Sequence, residues 1–135
     1  MIERALVRVR PGVAGDIEQV ERLVREYFAR RNAPIQAPSG DWTVAEIDGV
    51  IHAGQAIVQD PGARQRWVMA TYCDDNRQGR LALAALTRYT HERADLDGVA
   101  LLGVTEEDNG PNRRAMEQRG WVAVGTLMMR PRKEN

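Results

Sequence analysis

The stretch YCDDNRQGRLALAAL, Tyr72 to Leu86, carries the transition on which the fold turns. Upstream, Trp67 to Tyr72 reads as a strand. Downstream, Leu81, Ala85, Leu86 and Tyr89 share one face of a helix expected over Arg80 to Arg93. A short polar turn lies between them. After Asp97-Gly98, Val99 to Val104 is a continuous apolar run, the pattern of a strand buried on both faces.

Toward the N-terminus, Asp60-Pro61-Gly62 marks another turn. Trp42 to Ile47 and Val50 to Val58 read as strands flanking Asp48-Gly49, a hairpin signal because both turn residues tolerate positive φ. Asn32 to Asp41, with two prolines, a glycine and a serine, reads as a loop. From Gly15 to Arg31, apolar residues at Ile17, Val20, Val24, Tyr27 and Phe28 keep helical spacing. Asp16 and Glu18 in the first turn, and Arg30 and Arg31 in the last, complement the helix dipole. Ala5 to Arg10 alternates apolar residues with Leu6, Arg8 and Arg10, as in a half-buried strand ended by Pro11-Gly12. Toward the C-terminus, Asn109 is placed to cap a helix with Pro111 near its start. That helix should run to Arg119 and stop at Gly120, before a last strand over Trp121 to Met129. The order is β-α-β-β-β-α-β-α-β. It implies an α/β (α+β) domain over residues 1–135, a mixed central sheet flanked by helices.

Composition narrows the function classes. Nineteen Lys plus Arg balance nineteen Asp plus Glu, so net charge is zero and a general affinity for nucleic acid or membrane is not expected. A local patch from Arg64, Arg66, Arg77, Arg80, Arg113, Arg114, Arg130 and Arg132 would still suit a macromolecular acceptor. The single cysteine, Cys73, excludes an intrachain disulfide and a paired-cysteine zinc site; no metal site is expected. The charged start reads as no signal peptide, no stretch suffices for a membrane span, and the expected compartment is the cytoplasm.

Four segments together resemble the GNAT N-acetyltransferase superfamily over nearly the whole chain. VRVRPGVAGDIEQVERLV (Val7 to Val24) is similar to the family's first strand, turn and helix. VAEIDGVIHAG (Val44 to Gly54) is similar to its central hairpin. YCDDNRQGRLALAAL is similar to its cofactor motif, and LGVTEEDNGPNRRAMEQRGW (Leu102 to Trp121) to the strand and helix that follow. The resemblance implies transfer of an acetyl or other acyl group from acetyl-CoA, or another acyl-CoA, to an amine. A helix-opening turn offers unpaired N–H groups and the positive dipole end, which suits a pyrophosphate. By resemblance, Arg77, Gln78, Gly79, Arg80, Leu81 and Ala82 hold it. The family pattern asks for Gly or Ala at the sixth place from Arg77, where Ala82 fits. It asks for Gly at the fourth, where Arg80 stands and Gly79 lies one place early. The backbone of Ala70, Thr71 and Tyr72 is implied to pair with the pantetheine arm. Asn109 either touches that arm or only caps its helix, and Met116 takes the place of the tyrosine that often serves as acid.

Candidate bases are Glu46 and His52 on the hairpin, and Glu106, Glu107 or Asp108 after the fifth strand. Cys73 as a nucleophile has no histidine near in sequence. Trp42 and the preceding loop are placed to meet the acceptor. Two alternatives stay open: a catalytically weak CoA-binding module, and an acyltransferase acting on a protein amine or nucleic-acid base. The short tail after Gly120 would leave Val122, Val124, Leu127 and Met129 on an open edge, suited to a homodimer.

Overall fold

The computed structural model describes residues 6–36, 40–60, 62, 64–104, 110–124 and 130. The chain divides into two compact units, Met1–Val104 and Thr105–Asn135. In the first, β1 (Val7–Pro11), β2 (Asp41–Ile47), β3 (Val50–Asp60), β4 (Gln65–Cys73) and β5 (Ala100–Gly103) form one sheet in that order. The first four are antiparallel neighbours and β5 runs parallel to β4. Helix α1 (Ile17–Arg30), preceded by a 3-10 turn over Ala14–Asp16, joins β1 to β2. Helix α2 (Arg77–Asp97) crosses from β4 to β5. This is the mixed α/β architecture that the sequence implied.

Successive strand residues point to opposite faces, and that alternation splits the core in two. Val44, Ile51 and Tyr72 pack with Val20, Leu23 and Val24 of α1. Ala45 and Ala53, with Val7, Val9 and Cys73, pack with Ala82 and Leu86 of α2. Adjacent residues such as Val44 and Ala45 enter different clusters, so α1 and α2 cover opposite faces of the sheet. A polar side chain on either face therefore needs a protein partner. Arg10 finds two, Asp16 at 2.7 Å and Glu46 at 3.0 Å.

The Asp48-Gly49 turn forms as expected, with φ of 51° and 80°. Helix α2 is longer than its apolar spacing suggests. Asn76 caps it by accepting from Gly79 N at 2.8 Å, which moves the start from Arg80 to Arg77. Gly98, at φ 65°, closes the other end. Two bulges were not foreseen. Ala45 faces Ala53 and Glu46 faces Ile51, so His52 is an extra residue in β3; Ala56 faces Ala70 and Ile57 faces Val68, so Met69 is one in β4.

The strand expected over Val99 to Val104 is shorter and less buried than predicted. Its pairing with β4 covers Ala100 to Gly103, Leu101 and Leu102 are half-buried, and Val104 is 62% exposed. Pairing stops because β4 bends at Met69, directly after Val68↔Gly103.

In the second unit, α3 (Gly110–Gln118) ends as predicted at Gly120, φ 89°, with Trp121 N donating to Met116 O at 3.1 Å. The predicted final strand is not found in its described half. Trp121 to Val124 is irregular, and Val122 and Val124 are exposed, because the closing turn draws Trp121 back onto Met116 O. Gly125 to Met129 lies outside the described residues, as do Glu106, Glu107, Asp108 and Asn109. No helix among the described residues is long and apolar enough to cross a membrane.

Candidate functional site

The bulge at Met69 creates the site. A bulge bends its strand and sharpens the local twist. Beyond it, Ala70 to Cys73 stays paired with β3 and has no strand on its other side among the described residues. An open cleft of about 620 Å³ follows this edge. Tyr27, Arg30 and Arg31 from the end of α1, Thr71 and Cys73 from β4, Asp74 and Asp75 from the turn, and Arg80 from α2 line it. Arg31 stacks on Tyr27 at 3.6 Å from the ring centre, and Arg30 donates to Cys73 O at 3.2 Å.

One end of the cleft is the first turn of α2. The Asn76 side chain takes the Gly79 N–H, and Arg80 N bonds Asn76 O at 3.1 Å. The N–H groups of Arg77 and Gln78, the first two helical positions, are given no partner by the helix geometry. No acidic residue lies in that first turn, while Arg77 and Arg80 are exposed there. Two amides, a dipole end and guanidinium groups make a donor set suited to phosphate oxygens. Asp75 is the opposing charge. Asp74, the other acid, is already neutralised.

Asp74 is the hub beneath the turn. Its carboxylate accepts from Arg22 at 2.6 Å and from His52 Nδ1 at 2.7 Å, and its N–H donates to His52 O at 2.9 Å. Burial pushes its carboxyl up, but the hydrogen bonds from Arg22 and His52 outweigh this and hold it below the ordinary value. A carboxylate only accepts, so His52 carries its hydrogen on Nδ1. Gly79 packs onto the same backbone, where a Cβ would lie 1.8 Å from Asp74 O. The lack of a side chain at Gly79 thus serves the turn's own packing.

The remaining sequence-predicted residues fall as follows. Ala70 and Tyr72 face the α1 core, and burial raises the Tyr72 hydroxyl. Ala82 is buried against the sheet, whereas Leu81 is exposed. Met116 is half-buried on α3. Glu46 is held by Arg10 and Arg8 and lines no part of the cleft; His52 does not line it either. Trp42 packs on the α1 cluster, with its ring 6.0 Å from Tyr72. Burial pushes the Cys73 thiol up, which counts against a thiolate nucleophile. Sequence reasoning missed Tyr27, Arg30, Arg31 and Asp74. Of these only the Arg30-Arg31 pair left a signal, absorbed by the dipole argument.

By sequence, the chain matches no family model and no curated protein. Solved structures match it throughout. A "possible acetyltransferase" from Clostridium difficile 630 superposes with TM-score 0.76 at 12% identity, covering 96% of this chain and 99% of that one. A transcriptional regulator from Bacillus halodurans C-125 gives 0.70 at 16% identity, over 93% and 99%. An aminoglycoside N-acetyltransferase in complex with CoA gives 0.65 at 15% identity, over the same shares. A shared fold does not itself set the activity. The five strands and the helix-opening turn at the splayed edge of β4 are nevertheless those of the GNAT N-acetyltransferase fold.

Proposed function

We propose that the chain is an acyl-CoA-dependent N-acyltransferase, moving an acetyl or other acyl group to an amine. The observation that carries this reading is the continuity of the unpaired β4 edge with the first turn of α2. The edge suits an amide-bearing arm, which can pair along Ala70 to Cys73 like an added strand. The turn suits the pyrophosphate at the arm's other end, through the Arg77 and Gln78 amides and Arg80. The coenzyme would supply an activated thioester. The chain's own residues would hold it in register along the β4 edge.

A non-catalytic CoA-binding module is the second reading, favoured by the engagement of Glu46 and the position of His52 away from the cleft. Calorimetry with CoA tests binding, and an amine-panel transfer assay with acetyl-CoA separates the two readings. Arg80→Glu should weaken CoA by more than tenfold. One charge pair at 4 Å is worth about 1 kcal/mol in water, and reversal doubles that to about 2 kcal/mol, above the 1.4 kcal/mol of a tenfold change. Unchanged affinity would remove the phosphate assignment.

A further inference from the structure

A buried hydrogen-bond chain beneath the cleft has a fixed polarity. Thr90 Oγ1, on the inner face of α2, donates to Gln55 Oε1 at 2.7 Å. Gln55 Nε2 then donates to Thr71 Oγ1 at 2.9 Å. Thr90 and Gln55 are each 6% exposed, so water does not compete. An amide accepts at one end and donates at the other. Once Thr90 has given its proton to the oxygen, the nitrogen end faces Thr71, and Thr71 is compelled to accept. Its own single proton is left over. No group among the described residues accepts that proton, and Thr71 lines the cleft on the unpaired part of β4.

We infer that the Thr71 hydroxyl is a preset donor aimed at an acceptor oxygen of the bound molecule, and that this oxygen is an amide carbonyl of the pantetheine arm. The inference rests on the proposed function. Carbonyl rather than phosphate follows from spacing. Thr71 stands three residues before Asp74, and at roughly 3.3 Å per residue in a strand the helix-opening turn is about 10 Å away. The phosphate donors are gathered at that turn, so the arm lies opposite Thr71. A hydroxyl that accepts from Gln55 keeps its own proton off that amide and available to an outside acceptor, which is a form of preorganisation. The β4 edge alone would recognise any extended backbone. The Thr90–Gln55–Thr71 chain adds a directional contact with a side-chain donor.

Calorimetric titration of CoA and of 3'-phosphoadenosine 5'-diphosphate, which lacks the arm, tests this, with melting temperatures taken alongside. Thr71→Val should weaken CoA about tenfold, the ordinary scale for one lost hydrogen bond. It should leave the nucleotide within about twofold, and Thr71→Ser should restore CoA to within about threefold. Thr71→Ala serves in place of valine if the latter does not fold. Wild-type protein that binds both ligands, with CoA affinity unchanged in the valine or alanine variant, overturns this inference alone. Equal losses for both ligands, falling with the melting temperature, also overturn it and make the chain purely structural. Wild-type protein that binds neither ligand overturns the proposed function together with the inference.

Discussion

Replacing Gly79 with alanine sets two effects of opposite sign against each other. Helix propensity alone favours the change, since glycine in a helix costs up to about 1 kcal/mol relative to alanine. The structure requires the reverse. A Cβ at Gly79 would lie 1.8 Å from Asp74 O, 2.6 Å from its carbonyl carbon and 2.9 Å from its nitrogen, where contacts under 3.0 Å are essentially never seen. All three atoms are backbone. Asp74 cannot retreat, because its side chain is gripped by Arg22 and His52 and its N–H is bonded to His52 O. The helix must move instead, by more than an ångström, and the Asn76 cap on Gly79 N then breaks. A lost cap costs about 1 kcal/mol and overpacking about 1–3 kcal/mol. The net loss, about 1–3 kcal/mol after the propensity gain, should lower Tm by roughly 4–12 °C for a chain of this size. CoA affinity should fall at least tenfold in the protein that remains folded, because the Arg77 and Gln78 amides move with the helix. Gly15→Ala is the control, since nothing lies within 4 Å of a Cβ there, and should change stability by less than about 0.5 kcal/mol. Thermal unfolding by circular dichroism reads both. A Gly79→Ala protein that melts within 2 °C of wild type, or above it, would refute the account of this turn.

Asp16 is 7% exposed, and its bidentate bonds from Arg10 hold its carboxyl at about 2 rather than 3.8. The folded value is depressed, so the stabilisation of about 2 kcal/mol is complete above about pH 4 and is lost as pH falls toward 2. Asp16→Asn should lower Tm at pH 7 and flatten the acid limb of a stability–pH curve; an unchanged limb would show that the pair contributes nothing. His52→Gln should lower Tm by a few degrees through the loss of the Asp74 contact, with kcat and CoA affinity close to wild type, because His52 does not line the cleft. A loss of more than about a hundredfold in kcat at unchanged Tm would instead make His52 the base.

Local chemistry made much of the fold legible. Asp48-Gly49 declares its turn, Gly98 and Gly120 their helix ends, and Val7 and Val9 alternate with arginines in a way only a strand explains. The bulges at His52 and Met69 were not legible. A bulge is a mismatch between two strands, and neither strand alone carries a signature for it. That omission matters most at Met69, where the mismatch opens the cleft. The start of α2 was misjudged for a different reason. Apolar spacing begins only at Leu81, because the first turn faces the cleft rather than the core, and the cap at Asn76 had to be weighed instead. With the helix begun at Arg77, Gly79 is its third residue, and the one-place offset in the cofactor motif becomes a statement about packing on Asp74.

The site divides along the same line. Arg80 could be placed from sequence because a helix start and its charges are neighbours along the chain. Asp74 could not, because its partners Arg22 and His52 lie 52 and 22 residues away. Beside Asp75 it reads as one more solvated acid. Glu46 follows the same logic. A carboxylate on a strand suggests a solvated face or a base, but the Glu46 side chain is only 14% exposed. Such a carboxylate must then find a cation, and Arg10 supplies it while also gripping Asp16. Where a sheet face is covered, a strand carboxylate is first a packing requirement. It becomes a candidate base only if a cleft reaches it, and here the cleft reaches Thr71 and Asp74 instead.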